Sequence, residues 1–287
     1  MSALPRFFAD YQQRVSAELH RIVPPGEAAV ERAMAYTALA PSKQVRAVLT
    51  LLCAELCGVD SAAAVPAAAA IELVHSASLI LDDLPSMDDA PLRRGRPANH
   101  REFGESIAIL AAFALLNLAY GTIARRYEPP LASRLASLAS DAIGPAGLTG
   151  GQALDLLATE HQITFEALER IHRGKTGALF VAAATAGALV GGAAGEPVAA
   201  LAAYAKNLGL AFQIVDDLLD VEGDPAQTGK AVREDARKTT FVSFSGVAGA
   251  RQLALELCQT ADRALAPFGG QADRLRELSA FVASRRL

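Results

Sequence analysis

The segment Leu79-Ile80-Leu81-Asp82-Asp83-Leu84-Pro85-Ser86-Met87-Asp88-Asp89-Ala90-Pro91-Leu92-Arg93-Arg94-Gly95-Arg96-Pro97 decides how the chain is read. Four carboxylates fall within eight residues, directly after an apolar run. Like charges so close repel one another, and the apolar lead-in removes the water that would screen them. A merely solvated acidic turn leaves Ile80 and Leu81 unexplained. Asp82 and Asp88 stand six positions apart, which an unbroken helix would set on different faces. Pro85 removes the difficulty, because the residue before a proline is pushed out of helical geometry. The reading predicts a helix ending near Leu84 and a turn that returns Asp88 to the side of Asp82. Clustered carboxylate oxygens are hard ligands of the kind that bind magnesium together with phosphate oxygens.

A second acidic segment reads Phe212-Gln213-Ile214-Val215-Asp216-Asp217-Leu218-Leu219-Asp220. Asp216 and Asp220 are four apart and share a helical face, with Asp217 beside them. Alone this pattern is weak, since amphipathic helices often carry such acids. Paired with the first it implies two facing acidic walls able to hold several metal ions. Basic residues accompany both walls. Lys43 and Arg46 share a helix face, Arg93 and Arg94 follow the first acidic cluster, Lys175-Thr176 lie midway, and Lys230 and Lys238 follow the second. Bases placed beside carboxylate clusters fit an anionic ligand, bridged by metal to the acids and clamped directly by the bases.

The remainder of the 287 residues bounds the architecture. Hydrophobic residues make up 52% of the chain, aromatics only 6%, and alanine and leucine dominate. Both are strong helix formers, so the chain reads as all-α: one large helical bundle around a central cavity, spanning residues 1–287 with ten or more helices. Breaks are expected at Pro24-Pro25-Gly26, Glu128-Pro129-Pro130, Gly144 to Gly151, Glu222 to Gly229 and Pro267 to Gly270. A net charge of −4 gives no reason to expect nucleic acid as a partner. No signal peptide is expected at the N-terminus, and three cysteines (Cys53, Cys57, Cys258) suit a reducing, cytoplasmic setting. Two uncharged runs, Ile107 to Ala124 and Gly177 to Gly195, mimic membrane spans and read instead as buried core helices, with no span expected; a monomer would struggle to cover the first fully, which suits a dimer contact.

These motifs together resemble the trans-isoprenyl diphosphate synthases, the family of farnesyl and geranylgeranyl diphosphate synthases. The resemblance runs from about Lys43 to Gly246 and includes Gly150-Gly151-Gln152 with Asp155, Lys175-Thr176-Gly177, and Gly229-Lys230 through Lys238 and Thr240. It implies that Lys43, Arg46, His75 and Arg94 hold isopentenyl diphosphate. Arg93, Lys175, Thr176, Gln213, Lys230 and Lys238 would face an allylic diphosphate of the dimethylallyl, geranyl or farnesyl type. Asp82, Asp83, Asp88, Asp216, Asp217 and Asp220 would bind magnesium directly or through other groups, three ions in all, and the protein would be a homodimer. Among these, Asp82, Asp83, Asp216, Lys175 and Gln213 would carry the catalytic step. The chain departs from the family pattern at Gln44, Leu81, Phe113 and Arg233. These departures bear on rate and isopentenyl affinity and leave the expected metal ligands in place.

A growing product tail would run away from the metal site along the helix ending at Asp82. Ala77 and Ser78, about one turn deeper, are expected to line it. In the resembled family a bulky aromatic at the position of Ala77 tends to stop growth at fifteen carbons, so alanine favours twenty. Two other readings stay open at this point: a class I terpene cyclase, and a non-catalytic subunit that modifies an active synthase.

Overall fold

The computed structural model describes residues 5, 7–23, 26–158, 163–222 and 239–285. Helices α1 (Phe8–Ile22), α2 (Ala29–Ala38) and α3 (Val45–Leu56) lead to α4 (Val65–Asp82), which a single 3-10 turn introduces. Beyond the first acidic segment come α5 (Asn99–Phe103), α6 (Glu105–Arg126), α7 (Pro129–Ile143) and α8 (Leu148–Ala158). A π-helical turn, Arg173–Gly177, joins α9 (Phe165–His172) to α10 (Ala178–Val190). Helices α11 (Glu196–Glu222), α12 (Phe241–Ala264) and α13 (Asp273–Ser284) complete the order. Among the described residues the only ladder is a two-residue antiparallel pair, Leu92–Arg93 with Arg96–Pro97. The all-α expectation holds.

Helices α4 and α10 form the centre because they are apolar nearly all round, a pattern that only a fully enclosed helix tolerates. Every residue from Pro66 to Val74 is buried, and α10 buries most of its length. Their small side chains let neighbours approach closely. A Cβ on Gly187 would sit 2.2 Å from the Thr50 carbonyl oxygen, so α10 lies directly against the α3 backbone. One continuous core runs from Phe8 on α1 to Val282 on α13. A smaller core of Leu168, Ile214, Val215, Leu218 and Phe241 lies beneath α9, α11 and α12, under the second acidic segment.

The two uncharged runs behave differently. Gly177–Gly195 contains the buried α10, as expected. Ile107–Ala124 lies on α6, which buries only the face of Ala108, Ala111, Ala112, Leu115, Ala119, Thr122 and Ile123. Ile109, Leu110 and Phe113 point outward, Phe113 with 74% of its surface exposed. The helix is apolar all round yet only half enclosed, because its small residues face the core and several larger ones do not. By length and composition alone, Ser61–Asp82, Glu105–Arg126 and Glu196–Glu222 could each cross a membrane.

Pro85 acts as the sequence requires. Helix α4 stops at Asp82, and the Asp88 N–H donates to the Asp82 carbonyl at 3.0 Å, folding the second aspartate pair back on the first. The expected break from Gly144 to Gly151 is shorter than its glycines suggest, since α8 already begins at Leu148.

Candidate active site

Burial governs the first acidic wall. Asp83 is 2% exposed and is held by Arg93, whose Nε donates to both carboxylate oxygens at 2.9 and 3.1 Å, with a further contact from Nη2. Arg93 is delivered by the short ladder, whose two-residue loop is Arg94-Gly95 with φ of 55° and 73°. Both central residues at positive φ make this a type I′ hairpin, a turn glycine suits and arginine does not. The described non-glycine residues at positive φ are Gln44, Asp89 and Arg94, all within the segments singled out above. Such backbone costs of order 1 kcal/mol or more each and persists where the surrounding structure over-determines it. Beside this pair, burial raises the Asp82 carboxyl to about 6, against the pull of Lys175.

The second wall stands on α11. Asp217 is 5% exposed and accepts the Gln213 side-chain amide at 3.0 Å and the Phe241 N–H at 3.1 Å. Gln213 in turn accepts the Thr176 hydroxyl at 2.8 Å. Asp217 thus fixes Gln213, Thr176 and the start of α12 in one network. Asp216, one helical turn before Asp220, lies 2.8 Å from Arg285 Nη1. The Arg285 guanidinium also covers the Phe212 ring at 4.3 Å. Sequence reasoning missed Arg285, because nothing near a chain end distinguishes one arginine of a pair.

Lys175 projects from the π-helical turn, and its Nζ meets Asp155 Oδ2 of α8 at 2.8 Å. Single-turn π-bulges recur at functional positions because they re-aim side chains. The contact depends on close backbone approach: a Cβ on Gly151 would lie 2.1 Å from the Lys175 backbone nitrogen. Glycine inside α8 is explained by that crossing rather than by a break.

A group of basic residues lies within reach of both walls: the Asp216 charge acts on Lys43 and Arg46, and that of Asp83 on Arg94. Arg46 is half-buried, its guanidinium lies 4.7 Å from the Phe180 ring centre, and its buried Nε has no partner. Arg46 Nη1 lies 3.4 Å from His75 Nε2. An arginine can only donate, so His75 Nε2 accepts and the imidazole is neutral with its proton on Nδ1. Burial, reinforced by the charge of Arg46, holds His75 well below the usual range. Burial also lowers Lys43, Arg46 and Arg94, while the Asp216 charge acts in the opposite sense on Lys43 and Arg46. Glu72 acts on this group and was not read from the sequence, where it is one acid in an apolar helix.

The expected tail-lining residues sit on one stripe of α4. Ala77 is fully buried, and the Ser78 hydroxyl donates to the His75 carbonyl at 2.9 Å. A small apolar cavity of about 20 Å³ lies deeper, against Ala67, Ala70, Ile71 and Val74 of α4 and Tyr120 of α6. Ala77 and Ser78 do not line it; they stand between it and the aspartates on the same helical face. Lys230, Arg233 and Lys238 lie outside the described residues. Among the described residues no three His, Cys, Asp or Glu side chains converge on one metal position.

Comparison with known proteins bears on what such an arrangement does. The family model described as polyprenyl synthetase matches residues 27–260. A farnesyl diphosphate synthase of Geobacillus stearothermophilus is 41% identical over 258 residues, covering 87% of this chain and 87% of that protein. Geranylgeranyl pyrophosphate synthase 11, chloroplastic, of Arabidopsis thaliana is 41% identical over 288 residues, covering 95% and 80%. Among solved structures, a geranylgeranyl pyrophosphate synthetase from Pyrococcus horikoshii superposes with a TM-score of 0.89 at 29% identity, covering 98% of each chain. A farnesyl/geranylfarnesyl (FPP/GFPP) synthase from Zymomonas mobilis gives 0.86 at 34%, covering 97% and 98%.

The raised Asp82 carboxyl has a consequence for stability. Its folded value of about 6 exceeds the ordinary 3.8, so the neutral form favours folding, fully at low pH and no longer above about 6. A gap of about two pH units is worth on the order of 3 kcal/mol. In chelator, Asp82→Asn is therefore expected to unfold later than wild type at pH 8 and together with it at pH 4. Equal midpoints at pH 8 by thermal unfolding would show that burial does not strain this carboxylate.

Proposed function

The chain belongs to the polyprenyl synthetase family, and from that premise we propose that it is a short-chain prenyl diphosphate synthase, a single prenyltransferase domain that joins isopentenyl diphosphate to an allylic diphosphate. One observation carries this reading: beside the bases held against the acidic walls, Arg93 and Lys175, stands a second basic group of Arg46 and Arg94 with neutral His75, which suits two diphosphates rather than one. A class I terpene cyclase ionises a single diphosphate and has no use for such a second group.

The donor set suits magnesium. All candidate ligands are hard carboxylate oxygens, and magnesium keeps several waters and relies on one or two carboxylates plus substrate phosphates, so three converging side chains are not required. Asp82 and Asp88 would hold it on one wall, Asp216 and Asp220 on the other, three ions with the diphosphate. When bound, it neutralises charge that develops on the leaving group. Asp83 and Asp217 contribute by holding Arg93 and Gln213.

In the reaction, the allylic C–O bond breaks and its electron pair leaves with pyrophosphate. Lys175 and Arg93 stabilise the departing charge, a contribution that fixed, dehydrated donors make efficiently. Gln213 and Thr176 orient the diphosphate. Arg46, Arg94, Lys43 and neutral His75 hold isopentenyl diphosphate so that its double bond attacks the allylic cation. A proton then passes from the coupled product to pyrophosphate. Apolar side chains along α4 exclude water from the cation.

Incubating the purified protein with magnesium, isopentenyl diphosphate and an allylic primer tests this directly. Linear prenols after dephosphorylation are expected; hydrocarbons would indicate a cyclase, and no product a non-catalytic subunit. We favour twenty carbons, because position 77 carries alanine rather than the bulky aromatic that stops growth at fifteen in the resembled family. In the same assay Ala77→Phe is expected to shift the main product toward fifteen carbons, and an unchanged distribution from an active variant would refute that role. The outward Ile109, Leu110 and Phe113 of α6 suit a second copy of the chain, since so large an apolar face is rarely left to water. Light scattering is expected to give a homodimer, and a mass of 29.9 kDa at micromolar concentration would contradict it.

A further inference from the structure

Helix α3 begins without a cap of its own. Its N-cap residue, Gln44, has φ 48° and ψ 37° and makes no side-chain cap, and its amide donates instead to Ser16 Oγ at 3.1 Å. The first N–H groups of a helix have no partner within it, and an uncapped buried start is costly. The missing acceptor comes from another helix. Glu72 of α4, 5% exposed, accepts the Ala47 N–H through Oε1 at 3.2 Å. A carboxylate there also meets the positive end of the helix dipole.

The residue so anchored stands next to Arg46, whose guanidinium packs on Phe180 with its buried Nε unpartnered. A buried guanidinium with an open donor is costly unless an anion completes it. Glu72 acts favourably on the charges of both Arg46 and Arg94, and burial raises its own carboxyl while Arg46 and the Ala47 N–H lower it. It is one carboxylate whose charge acts on two guanidinium groups, Arg46 and Arg94, too little to neutralise both.

We propose that Glu72 is the positioning residue of the isopentenyl diphosphate pocket: it caps α3 across the helix pair and holds Arg46 and Arg94 aimed at the diphosphate. The proposal rests on the synthase reading above. Glutamine and alanine divide the two roles, since glutamine still accepts the Ala47 N–H and carries no charge, whereas alanine does neither.

The test is steady-state kinetics with each substrate varied in turn, on wild type, Glu72→Gln and Glu72→Ala, with helicity checked by circular dichroism. Glu72→Gln is expected to raise KM for isopentenyl diphosphate about tenfold or more while KM for the allylic substrate moves less than about threefold. Glu72→Ala is expected to exceed it on the isopentenyl side only. A loss of fold alone would depress activity toward both substrates together. Should alanine fail to fold, the glutamine variant and Glu72→Asp, which restores charge, carry the comparison, and recovery of the isopentenyl KM in Glu72→Asp relative to Glu72→Gln supports the role. Equal changes in both KM values, or none, overturn the proposal while leaving the synthase reading intact. A wild-type protein that makes no linear product overturns that reading and the proposal with it.

Discussion

Carboxylates placed at the end of a buried apolar helix cannot ionise cheaply without nearby positive charge, and the rest of the structure answers that constraint. Helix α4 must be enclosed because it is apolar all round, and its enclosure dehydrates Asp82 and Asp83. Asp83 is satisfied by Arg93, which explains why a two-stranded hairpin interrupts an otherwise helical chain. Asp82 is met by the field of Lys175, carried on a π-turn that Asp155 and the close approach at Gly151 hold in place. The opposite wall repeats the logic, with Asp217 locked by Gln213 and the α12 backbone and Asp216 beside Arg285.

The arrangement gives up stability around the acidic segments. Gln44 and Arg94 occupy backbone regions that their side chains disfavour, and Arg46 keeps an unpartnered buried donor. Strain and incomplete pairing of this kind concentrate at functional sites, where they hold groups in the geometry that a ligand completes. The compensating stability comes from the apolar packing of α4, α10 and the alanine-lined contacts around them.

Much of this was legible beforehand. Pro85 after an aspartate pair dictated the chain reversal that returns Asp88 to Asp82, and the spacing of Asp216 and Asp220 placed both on one helix face. Composition was enough for the helical class. What stayed hidden depended on tertiary approach. The glycines of α8 read as a break because the crossing backbone at Lys175 cannot be seen in one dimension. The Arg94-Gly95 hairpin carried a signal, glycine after a residue in a two-residue loop, that the surrounding charges obscured. Glu72 and Arg285 had none: each acquires its role from a helix distant in sequence. On α6 the incomplete cover was legible and the exposed face was not, because hydropathy reports how apolar a helix is and not which face the core covers.

The central claim is that the two opposed acidic walls act together on one leaving group. Turnover by Asp82→Ala and by Asp216→Ala, each from a different wall, measures it most directly. With circular dichroism unchanged and magnesium saturating, each variant is expected to lose at least about a hundredfold in kcat, the scale of removing one fixed charge-stabilising element. Near-normal turnover by either purified variant would contradict the account.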